Sequence, residues 1–113
     1  MIKTKIEILG LKNCDKCRDA QKKLNQFGYD IEFIEVRKNP ISLAYIQKLI
    51  TLFGNQLLNK RSTTFRGLPV SETDLSLVQL LHKYPTLIKR PVIISSARNS
   101  IGWNAEIEKD WLP

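Results

Sequence analysis

The sequence predicts an α/β protein whose mixed β-sheet is covered by helices on both faces. Two observations predict this fold class. The chain begins with strand-like and helix-like segments in alternation, and a buried apolar strand near the end is followed by a hairpin and a terminal helix. With 113 residues, of which 42% are hydrophobic and 26% charged, residues 1–113 are expected to form a single domain.

The first third of the chain predicts a strand–helix–strand unit. Its segments are residues 4–9, 15–27 and 31–36. Ala20, Leu24 and Phe27 recur at helical spacing and are expected on one apolar face, and Gly28 is the expected C-terminal stop. A connection this short implies that the two strands are parallel neighbours joined by a right-handed crossover.

The middle of the chain, about residues 42–84, predicts helices between the second and third strands. Ser42 is expected to cap a second helix that ends at Gly54. The apolar positions of that helix are Leu43, Ile46, Leu49, Ile50 and Phe53. Ser71 or Thr73 is then expected to cap a third helix.

The end of the chain predicts a β-hairpin and a helix. Pro91 opens an apolar strand, where the missing N–H group costs no ladder hydrogen bond. Residues 95–98 form the expected turn and residues 99–103 the fourth strand. Asn104 is the expected cap of the terminal helix, which has acidic residues in its first turn.

The two cysteines of the chain, Cys14 and Cys17, lie where the first strand gives way to the first helix. The first turn of a helix has unpaired N–H groups and a partial positive charge, and both favour a thiolate over a thiol. Lys12, Lys16 and Arg18 add positive charge. We therefore expect Cys14 to be the exposed sulfur of low pKa and Cys17, one turn further in, to be its resolving partner.

Three other interpretations of the cysteine pair stay open. A zinc site usually takes four Cys or His ligands, and here only His82 is left to add, so no metal is expected. A structural disulfide across so short a loop would stabilise the fold little. Two buried and inert cysteines are the third alternative. Since we see no signal peptide and no apolar run of about 20 residues, we expect a cytoplasmic protein. A C-x-x-C in such a reducing compartment is more often catalytic or sensing than structural, so redox chemistry is favoured.

The charge of the chain favours anionic partners without specifying one. The net charge is +7, from 18 basic and 11 acidic residues. The basic residues are spread along the chain and form no tail or basic helix, so direct nucleic-acid binding is not favoured.

The strand and helix order, with a C-x-x-C at a strand–helix junction, is typical of a thioredoxin-like fold, and the sequence resembles the ArsC/Spx family over nearly its whole length. This family contains arsenate reductases, their uncharacterised relatives and the Spx-type regulators. Four stretches carry the resemblance: residues 13–18 (NCDKCR), 61–65 (RSTTF), 84–91 (YPTLIKRP) and 102–113. The resemblance implies a thioredoxin-like mixed four-stranded sheet with a helical insertion between strands 2 and 3, and a cis bond between Arg90 and Pro91.

The resemblance also implies roles for individual residues. The reductases use the first cysteine, here Cys14, as the nucleophile and hold the oxyanion with arginines. Arg90 matches one of these arginines, and Arg61 lies near a second. Lys12 and Arg18 are expected to assist in holding an anion, and we expect Lys12 to affect the pKa of Cys14 less than Arg90 does.

Two functions follow from the resemblance. Spx-type regulators keep both cysteines as a dithiol switch, as this chain does, and they bind the C-terminal domain of the RNA polymerase α subunit through a surface that contains a glycine; Gly54 falls near the position of that glycine. The resemblance therefore implies a redox-sensing regulator of this type. The alternative is an ArsC-like reductase of arsenate or of a glutathione mixed disulfide. No cofactor is expected, and glutathione, glutaredoxin or thioredoxin would supply the electrons.

Overall fold

A computed structural model describes residues 3–113 of the chain. Its elements in chain order are β1 (Lys5–Gly10), α1 (Asp15–Phe27), β2 (Asp30–Glu35), α2 (Leu43–Phe53), α3 (Thr63–Arg66), α4 (Val70–Thr73), α5 (Leu77–Lys83), β3 (Val92–Ile94), β4 (Asn99–Ile101) and α6 (Ala105–Trp111), with short 3₁₀ turns at Gly54–Leu57 and Pro85–Leu87. Met1 and Ile2, which belong to the N-terminal segment expected to lack a signal peptide, lie outside the described residues.

The four strands form one mixed sheet in the order β2-β1-β3-β4. β1 runs parallel to β2, as the short strand–helix–strand connection predicted. β3 is antiparallel to both β1 and β4. This confirms the predicted thioredoxin-like fold class, and the predicted cis bond between Arg90 and Pro91 is also confirmed.

One compact unit contains the whole sheet and consists of the residues up to Glu35 together with Arg90–Pro113. Its core is built from buried side chains of β1, α1, β3 and the C-terminal segment. These side chains are Ile6, Ile8, Ala20, Leu24, Ile93, Trp103 and Trp111. The two tryptophans bury large apolar surfaces while their indole N–H groups find acceptors: Trp103 donates to Asp19 Oδ2 over 2.8 Å and Trp111 to Ser100 Oγ over 2.8 Å.

The second compact unit, Val36–Lys89, is mainly helical and contains the residues of the predicted insertion. Ser42 caps α2 by accepting a hydrogen bond from the Tyr45 N–H group over 3.1 Å, as predicted. A single antiparallel bridge joins Leu58 to Ile88, and it ties the segment after α2 to the segment after α5. The prediction that residues 1–113 fold as one domain stays a prediction.

The predictions of the third helix and of two apolar positions were wrong. α5 begins after Ser76, which accepts from Gln79, and not after Ser71 or Thr73. Residues Val70–Thr73 instead form one separate helical turn after Pro69. Phe27 is 53% exposed, and it stacks on Tyr29 at the end of α1 instead of entering the core. On α2, Leu43 is likewise exposed whereas Ile46 and Leu49 are buried.

The strand bounds differ by small shifts from the predicted ones. β1 and β2 are each displaced by one residue, and β4 ends at Ile101 because Gly102 has a φ of 83° and turns the chain away. None of the helices within residues 3–113 is long and apolar enough to cross a membrane.

Candidate redox site

The site lies at the carboxyl ends of the two parallel strands. Gly10, the last residue of β1, pairs with Glu35, the last residue of β2. The chain leaves β1 through a short loop and enters α1 at Cys14. Carboxyl ends of parallel strands, followed by helix N-termini, are where α/β sheets place their reactive groups.

Cys14 is the N-cap residue of α1 and is partly exposed. Its backbone is extended and its carbonyl accepts the first helical hydrogen bond, from the Arg18 N–H group over 2.9 Å. Partial burial raises the pKa of the thiol, but this effect is outweighed by the N–H groups of Cys17 and Lys16, by the Cys17 thiol and by the charge of Arg90. The net result is a lowered pKa for Cys14, in the direction that the sequence predicted.

Cys17 lies one helical turn further on and is fully buried. Burial raises its pKa from 9.0 to about 12, although the Leu11 N–H group and the Arg90 charge act in the opposite direction. The Cys17 thiol donates a hydrogen bond to the Cys14 sulfur, which favours the thiolate of Cys14 at the expense of that of Cys17. The two cysteines are both reduced and in contact.

Arg90 is the basic residue that acts on both sulfurs. It comes directly before the cis-bonded Pro91 at the start of β3, and β3 pairs with β1. Its positive charge lowers the pKa of Cys14 and of Cys17. The structure therefore brings together Cys14, Cys17 and Arg90, the three residues that the sequence and the resemblance singled out for chemistry.

The side chains of Lys12 and Arg18 are both exposed. Lys12 takes part through its backbone, whose N–H group donates to Glu35 Oε2 over 2.9 Å. The Arg18 guanidinium pairs with Asp15 at the start of the same helix and lines a surface groove with Lys22. Their expected assistance in holding an anion stays a prediction.

Arg61 and Gly54, the two remaining candidates, belong to the second unit. Arg61 is exposed, and its backbone N–H group donates to Asn59 Oδ1 over 3.2 Å. Gly54 has φ 60° and ψ −141°, a conformation open essentially to glycine alone, and it ends α2 by donating its N–H group to the Ile50 carbonyl. The backbone thus accounts for the glycine, and its role in partner binding stays a prediction.

Glu35 is a site residue that the sequence analysis missed. It is the buried charged residue of the described chain, with 7% of its surface exposed, and its carboxylate holds the loop before Cys14 through the Lys12 N–H group. The sequence alone gives no signal for this role. Glu32 is exposed in the same strand, and nothing in the run DIEFIE distinguishes one glutamate from the other.

This arrangement suits thiol chemistry. A sulfur of lowered pKa at a helix start has a second thiol against it and a guanidinium that favours its charge, so it can attack an electrophile and then be attacked by its neighbour. Within residues 3–113, no group of three or more His, Cys, Asp and Glu side chains is placed to hold a metal ion.

Comparison with known proteins gives a family. The sequence model described as the ArsC family matches residues 9–109. An uncharacterized protein of Haemophilus influenzae is 35% identical over 104 residues, which cover 88% of this chain and 91% of that protein. The global transcriptional regulator Spx of Streptococcus pneumoniae strain R6 is 29% identical over 109 residues, which cover 89% of this chain and 80% of the regulator.

Solved structures agree with the fold. The YffB protein (PA3664) superposes with a TM-score of 0.85 at 25% identity, covering 96% of this chain and 99% of that one. An arsenate reductase (ArsC) related protein from Brucella melitensis superposes with a TM-score of 0.75 at 25% identity, covering 99% of this chain and 98% of that one.

Proposed function

Because this chain belongs to the ArsC family, we propose that it is a cytoplasmic redox-sensing regulator of the Spx type. In this proposal Cys14 and Cys17 form a dithiol–disulfide switch. The oxidation state of the switch sets the affinity for the C-terminal domain of the RNA polymerase α subunit. Gly54 lies on the surface that contacts that domain.

The sensing step uses the difference between the two sulfurs. The Cys14 thiolate attacks one oxygen of a hydroperoxide and the O–O bond breaks. The leaving alkoxide or hydroxide takes a proton from the solvent, so the products are Cys14 sulfenic acid and an alcohol or water. Cys17 then gives up its proton and attacks the Cys14 sulfur. Hydroxide leaves as water after taking that proton, and the two cysteines are now joined by a disulfide, oxidised by two electrons. Thiols such as glutathione, glutaredoxin or thioredoxin return the pair to the reduced state.

The observation that carries the proposal is the contact between the two reduced cysteines. A nucleophilic cysteine whose intermediate is resolved by an external thiol does not require a second, buried thiol that donates to its sulfur. A sensor needs that partner, because an intramolecular attack outruns external thiols. The similarity to the Spx regulator of Streptococcus pneumoniae, which extends over 89% of this chain, supports the same choice.

Binding to the α C-terminal domain tests the proposal. The domain, taken from the same organism and immobilised, is titrated with the protein in its reduced and in its peroxide-oxidised state. We expect the dissociation constants to differ by at least about tenfold, a coupling of about 1.4 kcal/mol. Equal affinity in the two states, or no binding in either, would contradict a regulator of this kind.

Two variants make this test specific. Cys17→Ser cannot close the disulfide, so its affinity should no longer change on oxidation. Lys48→Ala removes an exposed lysine of α2 that lies over the Tyr45 ring, and it controls for a general loss of positive charge. It should retain the redox response.

The second candidate function is an ArsC-like reductase, favoured by Arg90 beside Cys14 and by the similarity to the Brucella melitensis protein. In this proposal Cys14 forms a sulfur–arsenic bond with arsenate as water leaves. Two glutathione molecules then supply two electrons, giving arsenite and glutathione disulfide. Arg90, with Lys12 and Arg18 as further cations, would meet the charge of the oxyanion.

Turnover separates the two functions. Glutathione-dependent reduction of arsenate, followed by coupled oxidation of NADPH through glutathione reductase, should survive Cys17→Ser and vanish in Cys14→Ser. The regulator proposal expects no such turnover in the wild-type protein.

A further inference from the structure

We propose that Gly10 is the positioning residue of the resolving cysteine. Because it has no side chain at the end of β1, the Cys17 sulfur can lie directly against the strand and within reach of Cys14. This inference rests on the dithiol switch proposed above and adds a residue outside the C-x-x-C to it.

The space beside Gly10 carries the inference. A Cβ atom added to Gly10 would lie 2.5 Å from Cys17 Sγ and 3.2 Å from Cys17 Cβ. Ordinary van der Waals contact begins at 3.4 Å, so the sulfur would have to move by about 1 Å. The third neighbour, Phe33 Cε2 at 3.5 Å, is at an ordinary contact distance. The conflict is therefore with Cys17 alone.

Backbone conformation does not explain the glycine. The glycines with positive φ in residues 3–113 are Gly28, Gly54 and Gly102, so Gly10 has a conformation that other residues adopt. Gly10 also keeps its strand pairing with Glu35. What the position requires is the absence of a side chain on the side that Cys17 occupies.

Cys17 has little freedom to move elsewhere. It is fully buried and belongs to the first turn of α1, so its backbone is fixed by the helix. Its sulfur lies between two groups that interact with it, the Leu11 N–H group and the Cys14 sulfur. A methyl group at residue 10 would push the sulfur away from the place where it meets both.

The consequence is kinetic. A hydroperoxide first oxidises Cys14 to the sulfenic acid. Disulfide closure then requires the Cys17 sulfur to approach the Cys14 sulfur in line with its S–O bond, and hydroxide leaves as water. A displacement of about 1 Å in a positioned group can slow such a step about 100-fold. Cys14 is at the helix cap, and the N–H groups of Cys17 and Lys16 and the charge of Arg90 still favour its thiolate, so its own reaction with the oxidant should slow far less than disulfide closure.

The experiment compares Gly10→Ala with the wild-type protein during oxidation by one equivalent of hydrogen peroxide. Dimedone is added at intervals to trap sulfenic acid, and mass spectrometry follows the adduct and the disulfide. We expect Gly10→Ala to close the disulfide about 100-fold more slowly and to accumulate dimedone adduct at Cys14. Alkylation of Cys14 by iodoacetamide should stay within about tenfold of wild type, because only the hydrogen bond from the Cys17 thiol is weakened. Closure at the wild-type rate would overturn the inference.

A matched control separates this effect from the loss of a glycine. Gly67→Ala changes a glycine of ordinary φ, −85°, whose added Cβ would come no closer than 3.3 Å, to the Thr63 carbonyl. It should close the disulfide at the wild-type rate.

A double-mutant cycle keeps the inference testable if Gly10→Ala folds poorly. Urea denaturation is measured for Gly10→Ala with Cys17 present and in the Cys17→Ala background, where the closest atom is gone. The shift in midpoint should fall to less than about half in that background, or folding should be recovered there. An equal shift in both backgrounds would overturn the inference.

The outcomes also separate the inference from the switch. If wild type closes the disulfide and Gly10→Ala closes it equally fast, the switch stands and the inference fails. If wild type does not close it, the dithiol switch fails, and the denaturation cycle decides whether Gly10 positions Cys17.

Discussion

Cys14 and Cys17 are three residues apart, yet their surroundings differ in nearly every respect. Cys14 lies at the helix cap, is partly exposed and has a lowered pKa, whereas Cys17 is fully buried and has a pKa raised to about 12. Burial raises the pKa of both sulfurs, but only at Cys14 do the N–H groups and the Arg90 charge outweigh it.

A short motif can therefore give two cysteines different chemical roles. An N-cap side chain is outside the helix and faces its free N–H groups, while a residue one turn later is turned towards the sheet. The same helix therefore provides one sulfur whose pKa is lowered and one whose pKa is raised, in contact with each other. A nucleophile and its resolving thiol need that division.

The largest expected effect comes from removing each sulfur in turn. A thiol with a pKa near 12 is ionised to roughly one part in 100,000 at pH 7. Cys14→Ser should therefore slow iodoacetamide alkylation of the folded protein at least about 1,000-fold. Cys17→Ser, the matched control, should leave the rate within about threefold. Comparable losses of alkylation rate in both variants would show that the two sulfurs do not differ in reactivity.

A smaller effect should appear in the free energy of unfolding at high pH. The pKa of Cys17 is about 12 in the folded protein and ordinarily 9.0, so above pH 9 the unfolded chain loses this proton first. The contribution is complete below pH 9 and is lost as the pH rises towards 12, at a slope of about 1.4 kcal/mol per pH unit.

Urea denaturation of the reduced protein between pH 8 and about 11 measures this slope. Cys17→Ala should remove that part of the pH dependence, and Cys14→Ala should leave most of it, because burial of Cys17 is the largest cause of its raised pKa. An unchanged slope in Cys17→Ala would mean that the raised pKa of Cys17 is not linked to folding.

The smallest effect should come from the cations around Cys14. Arg90→Ala removes a positive charge that lowers the pKa of Cys14, so this pKa should rise and alkylation at pH 7 should slow, by less than about tenfold, because the N–H groups remain. Lys12→Ala should have less effect than Arg90→Ala, since Lys12 takes part through its backbone. A larger change in the pKa of Cys14 for Lys12→Ala would contradict the assignment of Arg90 as the main cation.

The sequence predicted best where one local signal decides the structure. α1 begins and ends where the cysteine motif and Gly28 indicate, and Gly28 has the left-handed φ of 114° that a C-terminal glycine provides. Asn104 caps α6 by accepting from the Ile107 N–H group over 2.9 Å. These helix ends depend on a few adjacent residues, so the local sequence pattern is sufficient to predict them.

Prediction failed where several equivalent candidates compete or where burial is decided by distant residues. Ser71, Thr73 and Ser76 are all residues that cap helices well. Ser71 and Thr73 are taken up in the separate turn after Pro69, so α5 begins after Ser76. Phe27 has helical spacing, but its ring stacks on Tyr29 instead of entering the core. Glu35 and Gly10 gain their importance from residues in the loop and in α1 that meet them only after folding.

Titration of each cysteine in the reduced protein measures the difference in pKa between the two sulfurs. Iodoacetamide alkylation is followed by mass spectrometry at a series of pH values, with the two cysteines resolved as separate peptides. We expect Cys14 to titrate below its ordinary value of 9.0 and Cys17 to be unreactive until the pH approaches 12. Two cysteines that titrate together near pH 9, or a Cys17 that reacts before Cys14, would contradict it.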